Sequence, residues 1–138
     1  WILGVLTFKD RCIHVYDSIK GAQHDAKIRE AVQPYAVLIA RFLASTGFYR
    51  KRHDIDLTNV PYNDRPLADP LAIHLVDDLP QQEHADCGVY VASFAEYFIH
   101  QRSIPAVFDA EQHRKRLGTL LWDYGRSKQE NEDESEPE

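Results

Sequence analysis

The chain has 138 residues, 43% hydrophobic and 28% charged, enough for one globular domain with a core, too few for two, and inconsistent with a wholly disordered chain. No stretch reaches the roughly 18 to 20 apolar residues of a membrane helix, and the opening WILGVLTF breaks at Lys9 and Asp10, so neither a spanning segment nor a signal peptide is expected. Residues 126–138 hold six acidic and two basic side chains of a chain whose net charge is −6, which predicts an acidic, disordered tail behind a nearly neutral body and gives nucleic-acid binding no support.

WILGVLTF and RCIHVYDS, rich in β-branched and aromatic residues and joined through Lys9 and Asp10, predict two strands of a hairpin. Period two places Cys12, His14 and Tyr16 on one face and Ile13 and Val15 on the other, with Asp17 at the strand's end. From His24 to about Thr46, Ile28, Val32, Tyr35, Ile39, Phe42 and Leu43 form the stripe of an amphipathic helix. Pro34 is expected to kink or split that helix, and Gly47 to cap it. The basic run 50–53 reads as a helix C-terminus rather than a nucleic-acid site.

Residues 54–70, with Pro61, Pro66 and Pro70, form a surface loop, and residues 71–76 a further strand. After a turn at 79–82, residues 87–101 are apolar nearly all round and predict a helix buried in the middle of the fold. A last helix runs from about Asp109 to Tyr124, with Leu117, Leu120, Leu121 and Trp122 as core and Gly125 as its end. The organisation is therefore a domain over 1–125, in the order β-β-α-loop-β-α-α, and a tail over 126–138.

Cys87 lies where a polar loop becomes an apolar helix, and a thiol at a helix N-terminus sees a positive partial charge that favours the thiolate. Gly88 would let a substrate backbone approach. The alternative is a structural cysteine at a helix start, and Cys12, in mid-strand, reads as a core thiol. Both cysteines are expected to be free, in a reducing compartment. A nucleophile needs a base, an orienting carboxylate and an oxyanion donor. Asp17 suits the second role, although it also reads as a turn or cap aspartate, and Gln81, six residues before Cys87, suits the third. Two distant cysteines and scattered histidines present no metal-ligand spacing, so no metal and no cofactor are expected.

Tyr16-Asp17-Ser18 behind a Trp-led strand pair, Pro80-Gln81-Gln82, and Asp86-Cys87-Gly88-Val89-Tyr90-Val91 together resemble the ubiquitin-like protease family, the SUMO-deconjugating cysteine peptidases. Ala92 to Tyr97 and Leu120 to Gly125 resemble its plant, transposon-associated branch. The resemblance spans about residues 1 to 125 and implies part of a papain-like α+β domain. It implies Cys87 as nucleophile, Asp17 as orienting acid and Gln81 as oxyanion donor, with Gln82 an alternative because the loop is shortened. Trp1 matches the tunnel residue over the substrate's Gly-Gly tail, and the family's catalytic histidine, seventeen positions before the acid, falls immediately before Trp1. The chain, without methionine and opening inside a strand, therefore reads as a fragment that is inactive alone. His14, His24, His53, His74, His84, His100 and His113 read as ordinary surface or hydrogen-bonded histidines. The implied partner is a SUMO-like modifier or its conjugates, and the implied location is intracellular and nuclear. The competing reading is a catalytically dead, modifier-binding or domesticated transposon module.

Overall fold

The computed structural model describes residues 1–131. A three-stranded sheet has the spatial order β1-β2-β3, with β1 Leu3–Thr7, β2 Cys12–Tyr16 and β3 Ala72–Leu75. β1 pairs antiparallel with β2, Leu3 opposite Tyr16 and Thr7 opposite Cys12. β3 pairs parallel with the other edge of β2, Ile13 opposite Ile73. A parallel partner needs a long crossover, which α1 (Ala22–Ser45) and the loop after it supply. Helices α2 (Cys87–Ile99) and α3 (Ala110–Glu130) follow. The element order is the one expected, and the architecture is α+β.

The alternation of β2 sends its two faces into different cores. Ile13 and Val15 pack with Leu75 of β3 against Val32, Ala36 and Ala40 of α1. On the opposite face, Tyr16 joins Leu3 and Val76 against Tyr90 and Phe94 of α2, with Phe108 completing the cluster. A third cluster, Leu43, Tyr49, Ile55 and Tyr62, lies under the long loop.

Four details differ from the sequence expectation. First, α1 is one helix through Pro34. Its buried seam runs Val32, Ala36, Ala40 and Leu43, while Tyr35 and Phe42 are exposed: the alanines allow close approach to the sheet, and the larger side chains fall off that line. Second, α2 is buried on one face only, at Tyr90, Ser93 and Phe94, with Phe98 and Ile99 exposed, because its sheet and α3 contacts cover a single side. Third, α3 buries no residue, and Leu120, Leu121 and Trp122 are exposed rather than core, since only its first turns reach α2. Fourth, α3 continues through Gly125 to Glu130, five residues beyond the expected boundary. Neither a proline nor a left-handed residue stops it there, and the Arg126 to Glu130 pair, one turn apart, supports it. The rest of the acidic segment, 132–138, lies outside the described residues.

The loop between α1 and β3 has no regular element beyond a 3₁₀ turn at Phe48–Lys51, entered through Gly47 at φ 68°, yet it is anchored. Arg11, 1% exposed, donates from its guanidinium to the carbonyls of Pro61, Arg65, Pro66 and Asp69. The Tyr62 hydroxyl donates to the Phe8 carbonyl at 2.7 Å. These bonds deliver the chain to β3 in register with β2.

Candidate active site

Two segments that are distant in sequence meet beyond the C-terminal ends of the parallel strands β2 and β3. The first is Asp17 to Lys20. Asp17 is buried, and its Oδ1 accepts from the Ile19 amide at 3.0 Å. Its Oδ2 lies 2.7 Å from the His24 Nε2, on the first turns of α1. A β-strand end followed by a short connection thus returns an imidazole to the carboxylate that closes the strand.

The second segment is the 76–86 loop. Three hydrogen bonds and a Lys20–Asp77 ion pair at 3.8 Å bind it to the first. Lys20 Nζ donates to the Val76 carbonyl at 2.6 Å. The Gln82 amide donates to the Ser18 carbonyl at 2.9 Å, and the Ser18 hydroxyl donates to Gln82 Oε1 at 2.7 Å. Gln82 Nε2 in turn donates to the His84 carbonyl at 2.7 Å. Gln81 is more exposed, and its Nε2 turns back onto the Leu79 carbonyl at 2.9 Å. Its own carbonyl accepts from the Tyr90 hydroxyl at 3.1 Å. Burial, reinforced by the Asp86 and Glu83 carboxylates, pushes the Tyr90 phenol up, so it serves as a neutral donor.

Cys87 is the first residue of α2, half-buried and with a free thiol. The Val89 and Tyr90 amides both donate to the Asp86 carbonyl, at 2.8 and 3.1 Å. A Cβ built on Gly88 would meet nothing within 4 Å, so the approach to this helix end is open. Cys12 differs: it is buried in β2, and burial pushes its thiol up. A cleft of about 420 Å³ runs beside the α2 N-terminus, lined by Gln81, Asp86, Tyr90 and Phe108 among others. Trp1 is 85% exposed, away from the hydrophobic clusters.

The structure therefore joins Asp17 to His24 and Ser18 to Gln82, and ties the Gln82 loop directly into Cys87. Among the described residues the hydrogen-bonded histidines are His24, on Asp17, and His113, whose Nδ1 is 3.1 Å from the Ser93 hydroxyl; neither bonds to Cys87. His24, expected to be an ordinary surface or hydrogen-bonded histidine, is hydrogen-bonded, and its partner is Asp17 at 2.7 Å. A histidine seven positions after a strand-end aspartate, across a glycine at 21, was the available signal, and Ser18 carried none. Among the described residues, no group of three or more His, Cys, Asp or Glu side chains is arranged to hold a metal ion, and no helix is long and apolar enough to cross a membrane.

A family model described as the Ulp1 protease family, C-terminal catalytic domain, matches residues 1–127. No curated protein and no solved structure matches the chain.

Proposed function

The chain belongs to the Ulp1 protease family, whose members are cysteine peptidases, and on that premise we propose that it hydrolyses the peptide or isopeptide bond after the C-terminal Gly-Gly of a SUMO-like modifier. The observation that carries this reading is that Asp17, a buried strand-end carboxylate, is followed directly by Ser18, which clasps the loop that opens α2 at Cys87. In this mechanism the Cys87 thiolate attacks the glycine carbonyl, forming a C–S bond while the carbonyl electron pair moves onto oxygen. Collapse expels the amine, which takes up the proton held by the base, and water then cleaves the thioester.

The base is proposed to be a histidine preceding Trp1, oriented by Asp17, with Trp1 over the flat diglycine and Gly88 leaving room for its backbone. The oxyanion would be met by the Cys87 amide and a glutamine side chain. Gln81 has the expected six-residue spacing, but the Ser18 clasp favours Gln82, whose position is fixed from both main chain and side chain. Each side-chain amide carries a second N–H beside the one that holds its present carbonyl. The 2.7 Å contact with Asp17 supports a second reading, in which His24 is itself the base. Nuclear residence belongs to the same proposal.

The test is a SUMO protein carrying a C-terminal electrophile, added to the full-length protein. The expected result is a covalent adduct that vanishes in Cys87→Ala. Adduct formation that survives His24→Ala assigns the base to the residue before Trp1, and its loss assigns it to His24. A folded protein that forms no adduct with any of several ubiquitin-like modifiers overturns the peptidase reading in favour of a modifier-binding module.

A further inference from the structure

An aspartate at the N-cap of a helix ordinarily accepts a hydrogen bond from one of the first free amides. Asp86 occupies the N-cap of α2, with φ −104° and ψ 8°, and makes no such bond. Its carboxylate is instead paired with the Arg114 guanidinium of α3, across 28 residues of sequence. The Cys87 and Gly88 amides consequently meet no acceptor among the described residues. They are the two amides nearest the thiol, on the open side of the helix end.

The surrounding charges make this diversion consequential. Glu83, Asp86, Asp109 and Glu111 all line the cleft beside this helix end, with His84, and among its described lining residues Arg114 is the one permanently charged cation. A carboxylate released onto the α2 N-terminus would cancel the positive partial charge that favours a thiolate. It would also repel the negative charge that builds on a carbonyl oxygen during attack.

We propose that Arg114 is a positioning residue for Cys87: by holding the Asp86 carboxylate on α3, it keeps the first amides of α2 open to the charge that develops at the thiol and at the substrate oxygen. This rests on the reading of Cys87 as nucleophile.

The test separates the two claims by using iodoacetamide, which alkylates a thiolate without needing a modifier. Rates at Cys87, read by peptide mass spectrometry across pH 5 to 10, are measured in the full-length protein, alongside reaction with the SUMO electrophile. Arg114→Ala is expected to raise the apparent alkylation pKa by about one unit, slowing reaction at neutral pH about tenfold. The same variant is expected to lower kcat about tenfold or more, with KM changed less than twofold. Arg114→Lys retains most of the wild-type rate, because an ammonium still holds the carboxylate. Asp86→Ala alone stays within about twofold of wild type, and added to Arg114→Ala it restores most of the loss. If Asp86→Ala is as damaging as Arg114→Ala, or fails to rescue it, the pair is only a brace between α2 and α3 and the proposal is overturned. Normal alkylation shifts in a protein inert to every modifier electrophile would refute the peptidase reading while leaving the role of Arg114 upheld.

Discussion

Replacing Arg11 with methionine tests the claim that one guanidinium organises the entire loop before β3. The side chain is 1% exposed and faces four main-chain carbonyls, of which Arg65 and Asp69 accept at 3.3 and 3.2 Å and Pro61 only marginally at 3.5 Å. It also lies over the Tyr62 ring, 5.8 Å from the centroid. Methionine fills similar volume without donors, so about three part-buried acceptors lose their partner at about 1 kcal/mol each. Relief of the cost of burying a charge offsets part of this. The expected net loss is about 2 kcal/mol, or a fall of about 1 to 2 M in the urea midpoint for a domain of this size. Amide exchange should accelerate first in residues 58–71, and Arg11→Lys should recover less than half the loss, since a single ammonium cannot span the fork. A change below about 0.5 kcal/mol, or exchange that rises evenly along the chain, would refute the assignment.

Ser18→Ala removes the hydroxyl that holds Gln82 Oε1; a fall in kcat of at least about fivefold with less than about 1.5 kcal/mol of destabilisation is expected from steady-state kinetics and urea titration. Phe94, 1% exposed between Tyr16, Tyr90 and Phe108, should cost about 3 to 5 kcal/mol on truncation to alanine, measured by the same titration. Cys12, buried and with its thiol pushed up by that burial, should be alkylated at neutral pH only under unfolding conditions, as peptide mapping would show. The Arg52 guanidinium beside Asp54 holds its carboxyl at about 2, below the ordinary 3.8. Its stabilisation is therefore complete above about pH 4 and lost as pH falls towards 2. Asp54→Asn should flatten the stability profile across that window.

Period and punctuation made the element order legible. Alternation in 12–16 separated the two faces of β2, and the polar-to-apolar change at Asp86 and Cys87 located the start of α2. Periodicity reports which side chains are apolar, not which find a neighbour. Tyr35, Phe42, Leu120 and Trp122 satisfied a helical stripe and are nonetheless exposed, because burial depends on how closely the partner surface approaches. The same limit applies at the site. Asp17, Cys87 and the glutamine pair were readable from composition and resemblance, whereas His24 on Asp17, Ser18 on Gln82 and Arg114 on Asp86 are pairings of chain segments that only the folded sheet and helices bring together. Arg11 was equally silent, since a lone arginine after a turn looks like a solvated charge until a loop closes over it.

The clasp between Ser18 and Gln82 spans 64 residues, which dictates when it can form as well as where. Closing a chain loop of that length costs about 4 kcal/mol of entropy, far more than one hydroxyl-to-amide bond returns. It therefore cannot nucleate; it must wait until β3 has docked on β2 and the intervening chain is already ordered. The thiol of Cys87 exists from the moment the chain is synthesised, but the clasped loop beside it is expected to form only after β3 has docked on β2. On the proposed reading of Cys87 as nucleophile, a chain arrested earlier would carry the cysteine without the clasped loop, so acylation of Cys87 would report that the loop had closed.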